Sequence, residues 1–158
     1  IAMVIIRKDL LGFHLESTPK LLNYQLCQQK HSLTNTGNTF GIYTINRVLK
    51  WLKNEGGVAE IEVRNKKKAK VLYDLIDNSA FYKSHSVKED RSEMNVVFNL
   101  PEDKLLQQFL SEANENGLYA LKGHRNAGGA RASIYNAMPF EGVQTLADFM
   151  KEFERKNG

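Results

Sequence analysis

The sequence predicts an α/β fold, and three observations carry that reading. Met94, Val96, Phe98 and Leu100 alternate with more polar neighbours, the period-two signature of a half-buried strand. Apolar residues recur at helical spacing on both sides of it, through Val58, Ile61, Ala69, Leu72 and Ile76 before, and Leu105, Leu106, Phe109, Leu110 and Ala113 after. A last helical run, Val143, Leu146, Met150 and Phe153, completes an order of helices alternating with short strands, the pattern of a layered α/β sandwich. The strand and loop before Thr39 differ in character from the alternating order after Gly57, so two units are expected, residues 1–55 and 56–158.

The elements follow in order. Ala2–Ile6 is a continuous apolar run stopped by Arg7-Lys8-Asp9, which reads as a strand buried on both faces and implies further chain upstream. From Gly12 to Gly37 no period is sustained, and a structureless stretch of that length is usually functional or part of a larger body. Thr39 is placed to cap a helix whose face is Ile42, Ile45, Leu49 and Leu52, widened by Val48 and Trp51 and ended at Gly56-Gly57. The next helix starts near Val58 and runs to Asp77-Asn78-Ser79. Pro101 is expected to open the helix that Asn116-Gly117 closes. Leu118–Leu121 and Arg131–Tyr135 read as short strands around a glycine-rich loop.

Composition excludes several classes. With 42% hydrophobic and 25% charged residues the chain is no disordered polyelectrolyte. Its single cysteine, Cys27, can neither close an intrachain disulfide nor build a zinc site, which points to a reducing, cytoplasmic setting. His14, His31 and His85 have no metal-ligand spacing. The opening apolar run is far short of the ~20 residues a membrane span needs. The net charge of +4 raises a basic anion- or nucleic-acid-binding module as the alternative to an enzyme, with Lys66-Lys67-Lys68 and Lys70 as its best support. Those lysines are expected on the solvated face of a helix, and no aromatics are interleaved with them as a base-stacking platform would require.

Two stretches could carry chemistry. In Gly123–Ser133, His124, Arg125 and Arg131 flank the pair Gly128-Gly129. An arginine fork on a rigid strand can hold a carboxylate or phosphate through two parallel hydrogen bonds. The same residues would equally suit a glycine turn with solvated side chains. Asn35-Thr36-Gly37-Asn38-Thr39 precedes a helix start, where free N–H groups suit an anion. A plain helix cap would look the same.

The residues just named carry a resemblance. Gly123-His124-Arg125, Gly128–Ser133 and Ile134–Pro139, with Val4–Leu11, Asn35-Thr36 and Arg91–Asn95, closely resemble the C-terminal part of the phosphoserine aminotransferase family, fold-type I, class V pyridoxal-phosphate enzymes. The likeness runs essentially end to end. It implies that residues 1–55 finish the large cofactor-binding domain and that 56–158 form the small C-terminal domain. It implies a cytoplasmic homodimer in serine biosynthesis, transferring an amino group between glutamate and 3-phosphohydroxypyruvate to form phosphoserine. A related class V transaminase or desulfurase is the alternative among enzymes.

The resemblance also assigns roles. Asn35 and Thr36 match the pair that reaches the pyridoxal 5'-phosphate of the other subunit, and Arg131 the arginine that grips the substrate α-carboxylate. His124 and Arg125 match residues that bind the distal phosphate or side-chain carboxylate. The family's Schiff-base lysine would lie upstream of Ile1, so this chain alone is expected to be inactive. Where the family has proline after Asn-Thr, this chain has Gly37-Asn38, expected to loosen that loop.

Overall fold

Four segments of residues 55–158 bury the aromatic side chains around which that part of the chain folds. Tyr82, Phe98, Phe109 and Phe153 are almost wholly shielded and meet mostly edge to face, with Phe98 and Phe109 5.8 Å apart and Phe109 and Phe153 5.2 Å apart. Aromatic pairs prefer this geometry because a ring's positive edge meets the negative face of its neighbour. Truncating Phe109 to alanine would cost about 3–5 kcal/mol, since it lies at the centre of the set.

The computed structural model describes residues 1–158, in two units, Ile1–Asn54 and Glu55–Gly158. In the second unit, α3 (Gly57–Asn78), α4 (Asp103–Glu115) and α5 (Phe140–Asn157) supply helical faces to the core. A three-stranded antiparallel sheet in the order β1 (Lys83–Ser84), β2 (Asn95–Asn99), β3 (Ala130–Ser133) supplies the other layer. Val96 and Phe98 of β2 and Ala130 and Ala132 of β3 all point into the core, so the alternate residues form the opposite face. The helical runs and the alternating strand read from the sequence are thus present. The β1 pair was not anticipated, being too short to show a period.

Local bonds tie the layers together. Ser79, just past α3, accepts from the N–H groups of Phe81 and Tyr82 at 2.9 Å each and donates to Glu154 of α5 at 2.7 Å. The Tyr82 hydroxyl donates to the Met150 carbonyl at 2.8 Å, which satisfies its one buried polar atom. Burial raises its pKa far above the ordinary value.

Several expectations need correction here. Leu118–Leu121 is not a strand: Ala120 has a left-handed φ of 61°, and only the neighbouring Lys122 bridges to Ala130. The strand read as Arg131–Tyr135 is Ala130–Ser133, ending where the chain turns away. The helix after Pro101 begins at Asp103, with Glu102 at its N-cap. The lysine cluster does not lie wholly on a solvated face, because Lys68 is 3% exposed. Its carbon stem packs inward while three carbonyls meet its ammonium group.

Residues 1–54 are described separately. Their elements are α1 (Tyr24–Gln29), α2 (Thr39–Asn54) and two single 3₁₀ turns, and none of these residues is buried. Ala2–Ile6 is not the buried strand expected, since it pairs with no other strand and Ile5 is 93% exposed. Its backbone groups have no ladder to join within residues 1–158, and a strand exists only through its partners. The stretch from Gly12 to Gly37 holds α1, capped by the Asn23 side chain accepting from Leu26 N–H at 3.0 Å. The cap of α2 is Asn38, whose side chain accepts from Gly41 N–H at 2.8 Å, and Thr39 is the first helical residue. Trp51, on the apolar face read for this helix, is exposed along with Ile42 and Leu49.

Candidate functional site

Arg131 stands on the face of the sheet that the core does not use. The alternation of β3 sends Ala130 and Ala132 inward and leaves Arg131 and Ser133 opposite Val97 and Asn95 of β2. Its backbone is held on both edges, by the β2 ladder and by its N–H donating to the Leu121 carbonyl at 2.7 Å. The guanidinium is therefore mounted on a rigid strand. Its Nε is buried and has no hydrogen-bond partner. A buried charged donor left unpaired is costly, and an anion meeting the fork would relieve that cost.

Arg131 is among the residues lining a cleft of about 480 Å³, together with Leu118, Tyr119, Leu121, Ser133, Ile134 and Met138. Asn95 organises the polar edge beside Ser133, its amide oxygen accepting from Ser133 Oγ at 3.4 Å and from the Tyr135 hydroxyl at 3.2 Å.

His124 and Arg125 lie at the tip of the hairpin that leads into β3, and both are exposed. The hairpin is narrow because Gly123 N–H donates to the Gly129 carbonyl at 2.9 Å while Gly128 and Ala127 N–H both donate to the His124 carbonyl. A Cβ on Gly123 would overlap the Gly128 carbonyl, and Gly129, at a φ of 62°, lies against the Phe98 carbonyl. Glycine is required at both places because the backbones touch there. The glycine loop thus joins three of the expected residues, His124, Arg125 and Arg131, in one hairpin.

Asn35 and Thr36 belong to the first unit and are exposed. Asn35 Nδ2 donates to the Thr36 carbonyl at 3.3 Å, and its Oδ1 accepts from the Thr34 hydroxyl at 3.3 Å. These are neutral amide and hydroxyl groups engaged only with their own loop, a donor set suited to a phosphate.

Three further residues escaped the sequence reading. Lys68 Nζ donates to the carbonyls of Ile134, Tyr135 and Met138 at 3.1, 2.7 and 3.1 Å. Asn65, one turn earlier in α3, donates to Asn136 Oδ1 at 2.8 Å. Burial lowers the Lys68 pKa, since a desolvated ammonium is disfavoured. The signal was present: Ile61, Asn65, Lys68, Leu72 and Ile76 recur at four and three, which puts both polar residues in phase with the buried stripe. Arg91, quoted only as part of a motif, is the third. It forks onto Asp77 and stacks over the Tyr73 ring at 4.5 Å.

The basic cluster is spoken for. Lys66 pairs with Glu62 and Lys70 with Asp74, each four residues along α3. Lys67 lies over the Phe140 ring, and Lys68 is internal. Two of the four lysines thus face a carboxylate and one is internal, which weakens the cluster as a landing site for a nucleic-acid backbone. No group of three or more histidine, cysteine, aspartate or glutamate side chains is gathered as for a metal, and no helix is long and apolar enough to cross a membrane.

Comparison with known proteins adds to this geometry. The family model described as Aminotransferase class-V matches residues 1–146. The phosphoserine aminotransferase of Halalkalibacterium halodurans is 53% identical over 154 residues, covering 97% of this chain and 43% of that protein. That of Buchnera aphidicola subsp. Schizaphis graminum is 51% identical over 158 residues, covering 100% of this chain and 44% of that protein. Among solved structures, phosphoserine aminotransferase from Bacillus circulans subsp. alkalophilus superposes with a TM-score of 0.92 at 41% identity, over 97% of this chain and 43% of that one. The pyridoxal-phosphate-bound enzyme from Trichomonas vaginalis gives 0.82 at 34% identity, over 87% and 39%. The chain therefore spans less than half the length of the curated relatives it matches.

Proposed function

The chain belongs to the class-V aminotransferase family, and on that premise we propose that it forms the C-terminal part of a cytoplasmic phosphoserine aminotransferase, which moves an amino group between glutamate and 3-phosphohydroxypyruvate. Residues 1–55 complete the large domain of that enzyme and 56–158 make its small domain. The observation that carries this reading is Arg131, a guanidinium fixed on β3 with an unpartnered buried Nε at the edge of a cleft.

Both substrates are anionic at two ends. Arg131 takes the α-carboxylate through its planar fork, a charge-assisted contact worth roughly 1.5–3 kcal/mol. His124 and Arg125 at the hairpin tip take the distal phosphate or carboxylate. Two separated anchors leave a bound molecule little rotational freedom, so its Cα–H bond is held in one orientation.

Asn35 and Thr36 fit a phosphate by their donor chemistry, and in a homodimer they would hold the pyridoxal 5'-phosphate of the neighbouring subunit. When bound, that cofactor supplies the electron sink for amino transfer. Their neutral groups add hydrogen bonds without adding charge.

The test is an assay of the full-length protein with glutamate and 3-phosphohydroxypyruvate, alongside Arg131→Ala. Turnover by the wild type, with kcat/KM lowered about 10- to 150-fold in the variant, is expected from the energy of the lost fork. An inactive wild type overturns the assignment, and a variant with normal kinetics overturns the role of Arg131.

A further inference from the structure

The segment that follows β3 is held by a side chain from a distant helix. Lys68 sits in the middle of α3, and its ammonium reaches 66 to 70 residues along the chain to three carbonyls of Ile134, Tyr135 and Met138. An ammonium has three hydrogens, so its donor capacity is used up. It has none to spare for a substrate anion, a cofactor or a nucleic acid.

The same segment is fixed from the other side. Ile134 N–H donates to the Met94 carbonyl at 2.9 Å, and the Tyr135 hydroxyl reaches Asn95 at 3.2 Å. Asn65 adds a contact to Asn136, while its own Oδ1 is buried without a partner. Ile134 and Met138 line the cleft that Arg131 borders, and Ile134 is three residues beyond Arg131. Whatever holds this turn therefore sets one wall of the cleft and the end of the strand that carries the guanidinium.

Resting on the function proposed above, we infer that Lys68 is a positioning residue for substrate recognition, acting through the 134–138 turn on Arg131, with Asn65 as its second point of hold. A charged donor is suited to the task because it satisfies three carbonyls from one centre, which no neutral side chain can do. Removing it leaves those carbonyls without their donor, and the turn must open to find water.

The experiment compares wild-type, Lys68→Met and Asn65→Ala forms of the full-length protein by steady-state kinetics and amide exchange. In Lys68→Met, KM for both substrates is expected to rise about tenfold while kcat stays within about twofold, the signature of lost uniform binding. Exchange should quicken at residues 134–138 and remain slow in β2 and α4. A folded Lys68→Met protein with unchanged KM overturns the proposal, even if its melting temperature falls, because a purely structural role would do only that. Should Lys68→Met fail to fold, Asn65→Ala decides, with a KM increase of about two- to threefold expected and an unchanged KM counting against the proposal. A wild type that transfers no amino group overturns the function above and this inference with it. An active wild type beside a variant of unchanged KM overturns this inference alone.

Discussion

Asp77 receives both terminal nitrogens of Arg91, at 2.6 and 2.9 Å, and this fork joins the end of α3 to the approach to β2. The Arg91 guanidinium holds the Asp77 carboxyl down at about 2, against an ordinary 3.8, with Lys88 assisting at 3.4 Å. A depressed carboxylate pKa contributes stability above the unfolded value, and that contribution disappears as pH falls through the folded one. The pair should therefore add about 1–2 kcal/mol at neutral pH, after allowance for solvent screening. Denaturant titrations of the wild type should lose this increment between pH 4 and pH 2, the window between the ordinary 3.8 and the folded value of about 2. Asp77→Asn should lack it at neutral pH and show a flatter profile across that window. Identical profiles would refute the account.

Arg131→Lys separates charge from shape. The ammonium keeps the positive charge and loses the planar fork. If bidentate geometry matters, KM should still rise about tenfold or more in the full-length protein. Recovery to wild-type KM would mean that a point charge suffices.

Gly129→Ala tests the closeness of the hairpin. The new Cβ would meet the Phe98 carbonyl at 2.5 Å and the Asn99 amide oxygen, on a residue whose φ is 62°. Destabilisation of about 1–3 kcal/mol is expected from the backbone strain alone, with more from the overlap. A denaturation midpoint within error of the wild type would count against it.

Gly37→Ala should go the other way. Gly37 does not occupy the left-handed region, and an added Cβ would find Leu33 at 3.6 Å and Ile42 at 3.9 Å, ordinary contact distances. Restricting the unfolded chain should stabilise the entry to α2 by about 0.4–1 kcal/mol. Slower amide exchange through residues 39–44 of the full-length protein would report it, and faster exchange would contradict it.

Legibility in the sequence followed the physics of each element. α3, α4, α5 and β2 were readable because each buries one stripe, and a stripe leaves a period of 3.6 or 2. Ala2–Ile6 misled because an apolar run reports what a segment would bury, while a ladder depends on partners elsewhere. Lys68 misled for the opposite reason. Its three acceptors come from a turn 66 or more residues away, and a helical wheel does not contain them. Of the candidate site, His124, Arg125 and Arg131 stood out beside the paired glycines, but those residues alone suited a solvated turn equally well, and their roles came from the family resemblance. The hold on the site by Asn65 and Lys68 was visible only as two polar residues in an apolar phase.

The alternation on β3 has a consequence for how the strand finds its place. A slip of one residue against β2 would turn Ala130 and Ala132 outward and drive the Arg131 guanidinium in among Val96, Phe98 and Phe109. No carboxylate waits there, and an unpaired charge in such surroundings costs several kcal/mol. The slipped pairing is therefore opposed by the charge of Arg131 itself. A charge on one face of β3 would thus select the native register against its nearest competitor.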